Sequence, residues 1–155
     1  MKNSEGVFEF NPSQWVPFKD KKAIEKIVNI KREDIEKHPN PDFKISVVPD
    51  ADIESIWITD MFSRIKKSSE TGEKLVMILP NPCPIYRHVA RLINACNIDC
   101  RNVFAFAMDE YADENGKIAP EEWRFGFSNA MLNYFYYRID KKLRPSKNQF
   151  VGFTD

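Results

Sequence analysis

Hydrophobic and polar positions along residues 74–108 follow a strand–helix–strand pattern. Two nearly continuous apolar runs, 74–79 and 103–108, have the character of strands in a buried parallel sheet. Between them, apolar residues recur at helical spacing on one face, and these residues are Ile85, Val89, Leu92, Ile93 and Cys96. The pattern predicts a βαβ unit with two parallel strands and a right-handed crossover.

Further elements are predicted on both sides of this unit. Residues 44–48 form a short strand, and a helix with an acidic first turn begins at Pro49-Asp50. The apolar face of that helix consists of Ile53, Ile56, Trp57, Met61, Phe62 and Ile65. An aromatic-rich helix starts at Pro120 and continues to Ile139, and a last strand begins within residues 149–153. The predicted fold class is therefore α/β.

Residues 1–43 differ from this pattern, and we predict that they are an amino-terminal extension of a main domain covering residues 44–155. The first part of the extension carries aromatic residues among prolines, namely Phe8, Phe10, Trp15 and Phe18. A charged helical stretch follows at 19–37, and prolines end it within 38–41. The extension is expected to pack as a cover on the domain. A contact in a homo-oligomer is the alternative, because aromatic anchors suit interfaces.

Polar side chains follow both predicted strands of the βαβ unit. Asp109, Glu110 and Tyr111 come directly after the second strand, and the loop 80–84 follows the first. Because open α/β sheets bind ligands beyond the carboxyl ends of their strands, both segments are expected to face one crevice.

These polar residues have two interpretations each. A carboxylate at this position is either a general base or a group that pairs with a neighbouring backbone or lysine. Since successive residues of an extended chain point in opposite directions, only one of Asp109 and Glu110 is expected to face the crevice. Tyr111 either donates a hydrogen bond to a substrate or covers the end of the sheet.

Composition narrows the classes of function. The 155 residues include 23 basic and 23 acidic side chains with no basic stripe, which argues against nucleic acid as a partner. No apolar run approaches the roughly 18 residues of a membrane span, and the first residues lack the apolar segment of a secretory signal. Three cysteines in a chain without an export signal suit reduced thiols in the cytoplasm.

The order of these segments resembles the glucosamine-6-phosphate deaminase (isomerase) family. Residues 106–111, Phe-Ala-Met-Asp-Glu-Tyr, are similar to the strand-end motif of that family and differ mainly at Ala107, where Asn is usual. The segments 44–49, 75–86, 123–139 and 152–155 follow the same order. The resemblance covers residues 44–155. It implies a Rossmann-like three-layer α/β fold with a parallel sheet, of which this chain is expected to be the incomplete front half.

The resemblance also implies a chemistry and a substrate. Asp109, beside Glu110, would be the base that moves a proton between C2 and C1 of a ring-opened amino sugar phosphate. The products would be a keto sugar phosphate and ammonium, and the reaction would need no metal and no organic cofactor. The substrate would contact Tyr111, and its phosphate would bind at Asn81, Cys83 and Pro84. Three prolines stand in that loop where the family usually has glycines, so few N–H donors remain.

Two alternatives stay open. One is a relative of the same fold that binds a sugar phosphate without turnover, which the proline-rich loop favours. The other is a 6-phosphogluconolactonase-like hydrolase, which typically has Arg in place of Tyr111. The chain alone is expected to be inactive, because half of the site would be missing. A parallel sheet of few strands is also expected to leave an open edge and an uncovered apolar face.

Overall fold

The computed structural model describes residues 19–154, and the chain divides into two compact units, Met1–Val48 and Pro49–Asp155. The aromatic residues predicted to anchor the extension, Phe8, Phe10, Trp15 and Phe18, lie outside the described residues. The first unit is helical at Lys21–Val28 (α1) and forms a single 3-10 turn at Arg32–Asp34. The helical stretch predicted at 19–37 is therefore interrupted.

The strand predicted at residues 44–48 is wrong, because these residues have no regular structure. The Val47 N–H group, which a strand would use in its ladder, donates instead to the Glu36 carboxylate at 2.6 Å. Apolar residues such as Ile45 and Val47 have high strand propensity, but a strand forms only where a neighbouring strand supplies partners.

The second unit contains a parallel three-stranded sheet in the order β1-β2-β3. Residue Leu75 pairs with Val103 and Leu79 with Ala107, and the short third strand adds its residues beside Ala105. The predicted α/β class with parallel strands is confirmed. The helices and strands are α2 (Asp50–Thr71), β1 (Leu75–Leu79), α3 (Tyr86–Ala95), β2 (Val103–Ala107), α4 (Phe127–Tyr134) and β3 (Phe150–Val151).

The core of this unit lies on one face of the sheet. Helices α2, α3 and α4 contribute to a single cluster with the strand residues Leu79, Val103, Ala105, Ala107 and Phe150, all of them buried. The alternate strand residues point the other way, and Val76 and Ile78 are 62% and 65% exposed. Within residues 19–154, the expected uncovered apolar face is confirmed. The described residues form two layers, so the third layer of a Rossmann-like sandwich is not among them.

Helix α2 begins at Asp50 as predicted and ends at Gly72, which has the left-handed φ of +74° that favours glycine. Its first two turns extend past the core: Met61 and Ile65 are buried and Ile58 packs against the core, whereas the predicted face residues Ile53 and Ile56 are exposed. Trp57, also predicted for this face, is 36% exposed, and its ring centroid lies 6.3 Å from that of Tyr86. The reason is length. A helix of 22 residues is about 33 Å long, whereas a strand of five residues spans about 17 Å.

The crossover helix and the aromatic-rich helix each differ in part from the prediction. In α3, Val89 and Ile93 are fully buried as expected, but Leu92 and Cys96 are exposed. Helix α4 begins at Phe127 rather than at Pro120, because residues 120–126 form two successive turns. In these turns the N–H of Trp123 donates to the Pro120 carbonyl, and the N–H of Gly126 donates to the Trp123 carbonyl.

Candidate functional site

The carboxyl ends of β1 and β2 lie side by side. Leu79 pairs with Ala107, and the Met108 N–H donates to the Leu79 carbonyl at 3.0 Å. The loop 80–84 and the segment 109–111 therefore leave the same edge of the sheet from adjacent strands. This is the edge at which an open α/β sheet presents groups to a ligand.

The Asp109 side chain is exposed to solvent at this edge. Among residues 19–154, no hydrogen bond or ion pair involves its carboxylate. A carboxylate with free oxygens can accept a proton from a bound molecule without first breaking a bond within the protein. Its role as a base stays a prediction.

The Glu110 side chain has a different environment. Its two carboxylate oxygens accept hydrogen bonds from the N–H groups of Tyr111 at 3.0 Å, Phe127 at 2.9 Å and Ser128 at 2.7 Å. Burial raises the pKa of Glu110, but the N–H donors of Ser128, Phe127 and Tyr111 outweigh burial and lower the pKa below its usual value. Glu110 thus caps the amino terminus of α4 from 17 residues away. Pairing with backbone groups was one of the two interpretations of this carboxylate, but a helix so distant in sequence was not foreseen as the partner.

This cap predicts a pH-dependent loss of stability in Glu110→Gln. The variant is expected to unfold with about 1 kcal/mol less free energy at pH 7, because a neutral amide is a weaker cap than a carboxylate at a helix amino terminus. Because the pKa of Glu110 is lower in the folded protein than in the unfolded chain, its charge stabilises the fold fully at pH values above the unfolded-state pKa. This stabilisation is lost as the pH falls through the folded-state pKa. The difference from wild type should therefore shrink below about pH 4. Urea unfolding at pH 3 to 7 measures it.

The control for this prediction is Glu114→Gln, an exposed glutamate in the loop after β2. We expect that variant to unfold like the wild type at each pH, since surface substitutions usually change stability by less than about 0.5 kcal/mol. If Glu110→Gln lowered the free energy of unfolding by the same amount from pH 3 to pH 7, the charge on Glu110 would not be what stabilises the fold.

The loop 80–84 holds Asn81, Cys83 and Pro84, the residues predicted to bind phosphate. The Asn81 amide donates to the Leu79 carbonyl at 2.9 Å, and its oxygen is buried without a hydrogen bond to any described residue. Cys83 is buried, and burial raises the pKa of its thiol, although the N–H groups of Ile85 and Tyr86 oppose this. Pro84 is exposed.

The N–H groups at the start of α3 already have partners within the chain. Those of Tyr86, Arg87 and His88 donate to the carbonyls three residues earlier, at 2.9 to 3.3 Å. An anion at this helix end would have to displace these bonds, so the loop offers less to a phosphate than a glycine-rich loop does. Phosphate binding by Asn81, Cys83 and Pro84 stays a prediction.

Tyr111 belongs to an aromatic surface that the sequence analysis did not foresee. Its ring centroid lies 4.6 Å from that of Phe127 and 5.6 Å from that of Trp123, the latter in an edge-to-face arrangement. Residues 111–119 form a small hairpin, in which Ala112 bridges Ile118 and the Ala119 N–H donates to the Tyr111 carbonyl at 2.9 Å.

The hairpin closes one side of a cavity of about 360 Å³, which we call the aromatic cleft. Its lining combines aromatic, apolar and charged residues, chiefly Tyr111, Trp123, Ile118, Pro120, Asp113 and Lys117. The sequence signal for the hairpin was the pair Asn115-Gly116, which favours a tight turn. Gly116 has the positive φ, +82°, that such a turn requires.

A second cavity of about 340 Å³ lies between the hairpin and the segment after β3. Ser128, Gly152 and Thr154 are among its lining residues. The Ser128 hydroxyl is buried; it is near enough to Glu110 to help lower that group's pKa but forms no hydrogen bond of regular geometry with a described residue. It lies directly against the backbone of Gly152.

Comparison with known proteins identifies a shared fold. No family model and no curated protein matches the sequence. A solved structure of a monomeric glucosamine-6-phosphate deaminase, described as a missing link of the NagB superfamily, superposes with a TM-score of 0.50 and 20% sequence identity. The match covers 66% of this chain and 37% of the deaminase, so this chain spans little more than a third of its length.

No helix within residues 19–154 is long and apolar enough to cross a membrane.

The solved deaminase and this chain share a fold over the matched part, and the sheet of this chain is parallel as predicted. The resemblance seen in the sequence is thereby confirmed at the level of the fold.

Proposed function

We propose that this chain is part of a cytoplasmic isomerase/deaminase that converts an amino sugar phosphate to a keto sugar phosphate and ammonium. The observation that carries the proposal is the environment of Asp109. It is an exposed carboxylate at the carboxyl end of β2, next to the loop that follows β1. Its neighbour Glu110 is occupied as a helix cap, so Asp109 is the carboxylate of the pair that remains available for proton transfer.

The chemistry requires one base that reaches two adjacent carbons on the same side. Asp109 removes the proton from C2 of the ring-opened glucosamine 6-phosphate, which gives an enolamine. Return of the proton to C1 leaves an imine at C2. Water then hydrolyses the imine, so that glucosamine 6-phosphate and water become fructose 6-phosphate and ammonium. A general base of this kind accelerates proton transfer by about 10²–10⁴-fold.

The test is incubation with glucosamine 6-phosphate in deuterium oxide. For the protein that contains the complete site, we expect ammonium release and incorporation of deuterium at C1 of the product. For residues 1–155 alone, we expect no measurable ammonium. If the complete protein neither releases ammonium nor exchanges the carbon-bound proton, the proposed reaction is wrong.

The non-catalytic binder is the second candidate. The loop 80–84 favours it over the enzyme, because three prolines stand where the resembling enzymes usually have glycines. A binder would show a raised melting temperature with glucosamine 6-phosphate and no product in the same experiment. The absence of a shift at millimolar ligand would argue against it.

A further inference from the structure

The aromatic cleft begins at Tyr111, two residues after Asp109, but none of its lining residues is a base in the proton transfer described above. We propose that it is the subsite for the ring of an amino sugar phosphate, with Trp123 as a binding residue and with Asp113 and Lys117 as the groups that recognise the two charges of the ligand. The proposal rests on the proposed function for the identity of the ligand. It adds a place in the structure and residues outside the strand-end motif.

The walls of the cleft suit the apolar side of a sugar ring. Tyr111 and Trp123 are 49% and 41% exposed although their rings contact each other. Large aromatic side chains gain free energy when their faces are covered, and a pyranose presents a face of C–H groups to such a surface. The volume of about 360 Å³ lies near the lower end of the range of small-molecule sites. It is therefore suited to a single sugar rather than to an oligosaccharide.

The charges of the cleft complement a ligand with both an ammonium group and a phosphate. Asp113 and Lys117 both line it, one at each end of the hairpin turn. Neither forms an ion pair with another side chain among residues 19–154. The Asp113 carboxylate can accept hydrogen bonds from the amino group of the ligand, and the Lys117 ammonium can bind its phosphate. Lys117 thus takes the place of the loop 80–84 in binding phosphate, since the helix N–H groups after that loop are already bonded.

The hairpin holds these two residues in fixed positions along the backbone. One oxygen of Asp113 accepts from the N–H groups of Asn115 and Lys117, both at 2.9 Å, and the Asp113 N–H donates to the Lys117 carbonyl at 3.0 Å. A site whose backbone is fixed before the ligand arrives loses less conformational entropy on binding.

Tryptophan fluorescence of the 155-residue chain, titrated with glucosamine 6-phosphate, tests the subsite. We expect a ligand-dependent change in the wild type, and loss of that change in Trp123→Phe. The matched control is Trp57→Phe on α2, which should keep the change. Trp123→Ala, which removes the whole aromatic face, is expected to weaken binding about tenfold, as measured by calorimetry.

Two charge variants test the recognition of the ligand. Asp113→Asn keeps an oxygen for the Asn115 and Lys117 N–H groups but removes the negative charge, and Lys117→Gln removes the positive charge. Each is expected to bind glucosamine 6-phosphate about tenfold more weakly, because each loses one charge-assisted hydrogen bond to the ligand. Asp113→Asn should bind glucose 6-phosphate, which has no amine, like the wild type, and Lys117→Gln should bind glucosamine, which has no phosphate, like the wild type.

The failure of this subsite and the failure of the proposed reaction give different results. Wild-type affinity in Trp123→Ala, or no binding of glucosamine 6-phosphate by the wild-type chain at millimolar concentration, would overturn the subsite. Neither result tests the proposed reaction, because the Asp109-dependent release of ammonium is measured separately in the complete protein. Binding that weakens as expected in a protein that releases no ammonium would keep the subsite and overturn the reaction.

Discussion

Ammonium release from glucosamine 6-phosphate is expected to fall by about 10²–10⁴-fold when Asp109 is replaced by asparagine in the protein with the complete site. Asparagine has the shape of aspartate but cannot take up the proton from C2. Because no hydrogen bond or ion pair within residues 19–154 holds the Asp109 carboxylate, the substitution should leave the fold and the melting temperature unchanged. The loss should therefore appear in kcat, with substrate affinity retained.

The control for Asp109→Asn is Asp52→Asn, which makes the same chemical change at an exposed aspartate in the first turn of α2. It should keep the wild-type kcat. Glu110→Gln provides a second comparison, since its main effect is expected on stability and on the pH dependence of stability. Turnover at the wild-type rate in Asp109→Asn would show that another group is the base.

Asp109 and Glu110 also show what a sequence can and cannot reveal about such a site. Their position after an apolar run predicts that they lie at the carboxyl-end edge of a parallel sheet, and the structure places them at that edge. That only one of the two remains available was also predictable from the geometry of an extended chain. Which one it is depends on α4, whose first N–H groups lie 17 and 18 residues further along the chain. The sequence rules for helix caps consider only residues within a few positions of the helix start, so they cannot predict this cap.

The same limit explains the errors in the helices and strands. The start of α4 was placed at Pro120 because a proline and two glutamates are good signals for a helix start. In the structure, turns at Trp123 and Gly126 and the remote Glu110 cap move that start to Phe127. Local signals indicate what a segment favours, and the tertiary contacts decide among neighbouring positions.

The exposed face of the sheet was expected from the small number of strands, but the hydrophobicity of the strand residues does not show which face it is. Val76 and Ile78 are as apolar as the buried Leu79, so the run 74–79 has the composition of a strand that is buried on both faces. Apolar composition shows that a strand face can be buried. It does not show whether a helix among residues 19–154 packs on that face.

A large loss of stability is expected from a change at one glycine beside the second cavity, Gly152→Ala. A Cβ atom at residue 152 would lie 2.2 Å from the Ser128 Oγ and 2.8 Å from the Ser128 Cβ. Rotation of the hydroxyl relieves the first contact but not the second, because the Cβ is fixed to the backbone of α4. Such overpacking costs about 3 kcal/mol. Urea unfolding of the variant and the wild type measures the loss.

A double-mutant cycle with Ser128 separates this contact from other effects of adding a methyl group. Ser128→Gly removes both clashing atoms and costs only about 0.5 kcal/mol in helix propensity, since the Ser128 hydroxyl makes no regular hydrogen bond. In that background, Gly152→Ala should cost less than about 1 kcal/mol.

Gly116→Ala is the control for this cycle. The backbone φ of +82° at residue 116 is strained for alanine, but no atom lies within 4 Å of the added Cβ. It should cost about 1 kcal/mol with either residue at position 128. Equal costs of Gly152→Ala in both backgrounds would show that the strand end and α4 are not in direct contact at Ser128.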